Sequence, residues 1–181
     1  MHHFHLGHIE RVDVLNPGGY VLAPIPGKTS PGMGYLFGLG ALWGWRRKRK
    51  VYDFRLDPER PLTLCLYPGG WYCQPDRHEE TDLGSVPELC EPWLPRNSYE
   101  DGFVIHDSAC HKRGLYFASQ IEGPYTFCPI DSDTAHRLLG LTVRAMGAWP
   151  ITQFAIYRAV RHGGPQWECG DLPPGKDGGK Q

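Results

Sequence analysis

Short runs of alternating apolar and polar residues fill the first half of the chain, and apolar residues recur at helical spacing in the second half. Residues 9–26 (IERVDVLNPGGYVLAPIP) read as short strands around the turn Asn16-Pro17-Gly18-Gly19. Val51–Leu56 and Leu62–Tyr67 alternate in the same way. Pro68-Gly69-Gly70 then turns the chain into Trp71-Tyr72-Cys73, a second hairpin. Residues 74–97 are polar and punctuated by proline, and read as loop. After them the period changes. Ser98, followed by Glu100 and Asp101, supplies a cap and an acidic first turn for a helix running to about Arg113 and closed by Gly114. Residues 114–130, with Tyr116, Phe117, Tyr125 and Phe127, read as a connection. Asp131 or Ser132 caps a second helix, in which Ala135, Leu138, Leu139, Thr142, Val143 and Met146 keep helical spacing before Gly147. Pro150 opens a third, with Phe154, Tyr157 and Val160 on one stripe and Gly163-Gly164 as its stop. This pattern predicts an α+β fold: short antiparallel strands and hairpins in the N-terminal half, packed on about three helices in the C-terminal half.

Composition narrows the classes of function. The 181 residues suit one domain with a proper core. A formal net charge of −1 gives no global field toward nucleic acid or an anionic membrane. Met1-His2-His3-Phe4-His5 lacks a basic region followed by an apolar run, which argues against a signal peptide. Cys65, Cys73, Cys90, Cys110, Cys128 and Cys169 include no C-x-x-C pair, so a zinc ribbon or thioredoxin motif is absent. Thiols in a reducing cytoplasm are the expectation. Met33–Trp45 is apolar and glycine-spaced, and Arg46–Lys50 follows as a basic run. Thirteen residues fall short of the roughly 20 a bilayer-spanning helix needs. The segment reads as a protruding loop that docks on a protein, as a solvated charge run beside a buried turn, or as a membrane-interface contact. Its five basic residues belong to no motif that reads nucleic acid.

Candidate chemistry concentrates on the first helix. Residues four apart share a helix face, so His106 aligns with Cys110 and Asp107 with His111. Imidazole and thiolate suit zinc, and a carboxylate also suits calcium or magnesium. One i, i+4 pair supplies two ligands at most. His136, beside the apolar stripe of the second helix, is the candidate to add another. Histidine can also act as general base near neutral pH. The structural alternative is a buried polar pair that organises helix packing.

Thr81-Asp82-Leu83-Gly84-Ser85-Val86-Pro87, followed by Gly102-Phe103-Val104-Ile105-His106-Asp107, resembles the paired signature of the phage-borne family called domain of unknown function 1353. That family shows TD-x-x-S-[IV]-P, then HD-x-x-Y, then a helix with an Ala-Asp pair, then Tyr-x-x-Val-x-x-x-Gly. Tyr157-Arg158-Ala159-Val160-Arg161-His162-Gly163-Gly164 matches the last. The resemblance covers roughly residues 51–167 as a core domain, leaving 1–50 as an N-terminal extension and 168–181 as a Gly/Pro-rich tail. Cys110 stands where the family has tyrosine, and Ala135-His136 where it has Ala-Asp. The resemblance implies a bacteriophage protein of the virion (tail or baseplate) or its assembly, located in the virion or the host cytoplasm. It would meet other phage structural proteins through 30–50 and 168–181. The site it implies has His106, Asp107 and His136 at its centre, with Thr81, Asp82 and Ser85 as support. A divalent metal, zinc or calcium, would be held by His106, Asp107, Cys110 and His136. Ser85 lacks the strand–elbow–helix context of a G-x-S-x-G nucleophile, so its loop is expected to position the helix instead.

More distantly, the His-Asp helix is similar to that of secreted phospholipases A2. By that similarity His106 is the base, Asp107 a calcium ligand, and His136 stands in for an orienting aspartate, with Pro68-Gly69-Gly70-Trp71 as the candidate calcium loop. The alternative function is therefore a metal-dependent hydrolase acting on host-envelope lipid or peptidoglycan.

Overall fold

The structure, a computed structural model, describes residues 9–31, 48–82 and 99–171. Eight strands and three helices occur among them: β1 (Arg11–Leu15), β2 (Tyr20–Pro31), β3 (Lys48–Leu56), β4 (Thr63–Tyr67), β5 (Trp71–Gln74), β6 (His78–Thr81), α1 (Glu100–Lys112), β7 (Gly114–Ala118), β8 (Thr126–Pro129), α2 (Ser132–Ala145) and α3 (Pro150–Gly163). The strands form two antiparallel sheets, β1-β4-β5-β7-β8 and β2-β3-β6. The fold is α+β, as the patterning predicts.

The turn between β1 and β2 needs two left-handed residues, Asn16 (φ 52°) and Gly18 (φ 71°). Gly19 is required for a different reason: a Cβ there would lie 2.1 Å from the Arg60 carbonyl oxygen. Its own carbonyl accepts from the amides of Asp57 and Leu62, so the chain cannot retreat without losing both bonds. This clasp sets Val12 opposite Leu66 and Val14 opposite Leu64. Leu62, Leu64 and Leu66 are sealed against Val104, Ile105 and Ala109 of α1 and Ala135 and Leu138 of α2. A smaller cluster of Phe103, Leu139, Val143, Ala148, Ile156 and Val160 joins the three helices. Gly102 allows the close approach of α1 and α2, since a Cβ there would meet Leu139 at 3.3 Å and Val143 at 3.4 Å.

Two stretches read as irregular are strands. Within 74–97, β6 pairs with β3, placing Thr81 opposite Tyr52 and Glu79 opposite Phe54. Its sequence, His-Glu-Glu-Thr, hides the strand because the buried side, Glu79 and Thr81, is polar and faces side chains of α1: Ser108 and His111 meet Glu79, and Asp107 meets Thr81. Within 114–130, β7 and β8 form a hairpin in which Gly114 lets the Phe127 ring and the Cys128 carbonyl approach where a Cβ would stand. The left-handed end of α1 is Arg113 (φ 54°), and Gly114 opens β7 instead of closing the helix. Asp131 caps α2 through its bond from the Thr134 amide, 2.7 Å, and Pro150 opens α3. The N-cap of α1 is Tyr99; Ser98, expected to cap it, lies outside the described residues. So do Ser85, Cys90, the apolar segment 33–45, Arg46, Arg47 and the tail from 172. Among the described residues no helix is long and apolar enough to cross a membrane.

Candidate functional site

Three residues of α1, Val104, Ile105 and Ala109, anchor it in the core, and the helical turn then aims His106 at α2. His106 Nε2 lies 2.9 Å from His136 Nδ1, with both rings buried and their centroids 5.1 Å apart. The pairing rule i, i+4 also holds, since Cys110 Sγ sits 3.6 and 3.8 Å from the two nitrogens of His106. Asp107 accepts from Thr81 Oγ1 at 2.5 Å, and its other oxygen lies 3.9 Å from His106 Nδ1. Thus His106, Asp107, Cys110, His136 and Thr81 lie together. Asp82 follows β6 and acts electrostatically on His111.

His136 is walled in by the segment after α3. The edge of Trp167 meets its ring at 75°, Gln166 Nε2 is 3.4 Å from its Nε2, and the Pro165 carbonyl accepts from the imidazole. With Nδ1 turned to His106, the nitrogen left to donate to Pro165 is Nε2. The tautomer pair that satisfies Pro165 has His136 protonated on Nε2 and His106 donating from Nε2 to His136 Nδ1, with Gln166 Nε2 giving its hydrogens to the Arg161 and Gly164 carbonyls instead of to His136. The basic nitrogen of His106 is then Nδ1, the one beside Asp107.

Burial, and then the neighbouring His106, lower the His136 pKa from the ordinary 6.5 to about 4. His136 is therefore neutral at neutral pH. Because the folded state binds this proton less well than the unfolded chain, the associated stability is full above pH 6.5 and drains away as pH falls through 4. The shift corresponds to about 3 kcal/mol. Denaturant melts at both ends of this range should show His136→Gln losing about 3 kcal/mol less than the parent on acidification. Identical pH dependence in the two proteins would mean that His136 is not held neutral by the fold.

Cys110 is not poised as a thiolate, because burial, and next Asp107 and Glu79, push its thiol up. The described residues do not fit a structural zinc. Two nitrogens on one tetrahedral zinc stand about 3.3 Å apart, whereas those of His106 and His136 are bonded directly to each other at 2.9 Å. Among the described residues no three or more His, Cys, Asp or Glu side chains form a group able to hold a metal ion. The carboxylate of Asp107 alone does not supply the several oxygens of a calcium site.

A second group, unseen in the sequence, ties β6 to α1. Ser108 donates to Glu79 at 3.2 Å, His111 pairs with Glu79 at 3.5 Å, the Asp76 amide donates to Ser108, and Lys112 pairs with Asp76 at 2.7 Å. His111 shares a face with Asp107 but serves Glu79, whose hydrogen bond is the main cause of its raised pKa. This seam fixes Thr81 over Asp107. Nothing in the sequence marked Glu79, Gln166 or Trp167. Only the structure shows that the first lies under α1 and the others on α2.

No protein-family model matches the chain, and no curated protein and no solved structure matches it.

Proposed function

We propose that His106 is the general base of a hydrolase, of the kind a bacteriophage turns on host-envelope lipid or peptidoglycan, with His136 as its positioning residue. The observation that carries this reading is the 2.9 Å His106–His136 bond, which leaves His106 Nδ1 beside Asp107 with its lone pair uncommitted to α2. Base and carboxylate adjacent on one helix, with an orienting group on the next, is also the arrangement expected from the similarity to phospholipases A2. In the reaction, Nδ1 takes a proton from water as the oxygen attacks an acyl carbon; the tetrahedral intermediate then breaks its bond to the alcohol or amine, which leaves with the proton returned from Nδ1. The imidazolium so formed is stabilised by Asp107, which Thr81 holds in place. His136 cannot share that charge; it fixes the ring and its tautomer. The phage setting rests on the ordered motif resemblance.

The test is hydrolysis by the purified chain of phospholipid vesicles and of peptidoglycan. Release of fatty acid, or of stem peptide from the glycan, is the expected result. Inactivity on both would end the hydrolase reading.

A second reading, a virion or assembly component with His106–His136 as a buried structural pin, is favoured by Trp149, Ile151 and Phe154. These stand 77%, 77% and 63% exposed around the start of α3, where an assembly contact would cover them. Mass spectrometry of purified particles separates the two readings, because this one requires the chain to be present in them.

A further inference from the structure

Cys128 lies next to the end of β8, and Cys169 lies in the segment that follows α3; the two are far apart in sequence but meet at one atom, the carbonyl oxygen of Pro129. Each Sγ lies 3.6 Å from the carbonyl oxygen of Pro129, which puts the two sulfurs within about 7 Å of each other. Their neighbourhood is fastened independently. The Ser132 amide donates to the Trp167 carbonyl at 3.1 Å, and Trp167 Nε1 donates to the Ile130 carbonyl at 2.7 Å, so the chain around 167 runs beside residues 130–132. Beyond it, Glu168 to Asp171 make a turn closed by two hydrogen bonds, with Gly170 at φ 96°. Cys169 is exposed on this turn, and both residues carry thiols.

We propose that Cys128 and Cys169 are a site of reversible disulfide formation, made by exchange with a small-molecule disulfide of the glutathione type. Geometry sets the order of events. Exposed Cys169, as thiolate, attacks one sulfur of the external disulfide, releases the first thiol and becomes a mixed disulfide. Cys128 then attacks Cys169 Sγ and releases the second thiol. Two protein thiols are oxidised, one external disulfide is reduced to two thiols, and the two protons leave with them. A rotation of Cys169 and a small shift of its turn bring the sulfurs to bonding distance, a movement that an exposed four-residue turn allows. Among the described residues, the sulfur of Cys73 also lies near Cys128, but it is fully buried and closed to an external disulfide. The bond would close a loop containing all of α2 and α3, and would fasten the Pro165–Trp167 wall over His136.

The experiment is incubation of the full chain with oxidised glutathione, alkylation of remaining thiols, and peptide mapping. The expected product is one species lighter by about 2 Da in which peptides containing Cys128 and Cys169 are linked, with Tm raised by roughly 10 °C. Cys169→Ser and Cys128→Ser should each abolish both the link and the Tm rise. Cys169 is exposed, so its serine variant also serves as a folded control. A product that stops at glutathione on Cys169, or a link from Cys128 to any other cysteine, would overturn the assignment.

Discussion

Replacing His106 with alanine is expected to lower the rate of hydrolysis roughly 100- to 10,000-fold, the usual contribution of a positioned general base. The loss arises at one atom, Nδ1, because Nε2 is committed to His136 and Cys110 is held as a thiol by burial. Alanine has a second effect. It leaves His136 Nδ1 as a buried acceptor without its donor, which costs about 1–3 kcal/mol of stability. His106→Gln separates the two consequences. Its amide can donate toward His136 but takes no proton at neutral pH, so it should be as inactive as alanine while recovering part of the stability. Rates measured beside urea melts decide the matter. A glutamine variant with parental activity would remove His106 from the role of base.

Trp167→Ala should be the most destabilising single truncation near the site, at roughly 3–5 kcal/mol. Three losses combine. The indole is almost fully buried in the main core cluster, so a large cavity remains. The Ile130 carbonyl loses the donor that Nε1 provides at 2.7 Å. The edge of the ring also leaves His136, admitting water to a histidine whose low pKa comes first from burial. The variant should therefore lose less stability on acidification from pH 6.5 to 4 than the parent does, because His136 then titrates closer to its ordinary 6.5. Trp167→Phe keeps most of the volume without the hydrogen bond, and should cost about half as much. If Trp167→Ala cost under about 1 kcal/mol, the segment after α3 would not be part of the core.

Where local signals and tertiary packing agree, the fold is legible in the sequence. The β4–β5 hairpin has alternation on both sides of Pro68-Gly69-Gly70, and α2 and α3 have a capping Asp131 and an opening Pro150. β6 is illegible because a strand whose buried residues are Glu79 and Thr81 has no apolar alternation. Its stability comes from Ser108, His111 and Asp107, which lie on α1. The end of α1 is misjudged by one residue, because Arg113 rather than Gly114 adopts the left-handed conformation. The site divides in the same way. Helical spacing places Cys110 beside His106, and the apolar stripe of α2 turns His136 inward. No spacing rule connects Trp167 or Gln166 to His136, since their contact depends on how the chain returns after α3.

The most direct test of the His106–His136 centre is a proton–nitrogen correlation spectrum of the imidazoles in isotope-labelled protein, followed from about pH 5 to about pH 8. His136 is expected to stay neutral over this range with its proton on Nε2, while His106 shows its Nε2 proton donated to His136 Nδ1. A His136 that titrates near 6.5, or a neutral His106 protonated on Nδ1, would contradict the account, because the base would then have no lone pair to offer beside Asp107.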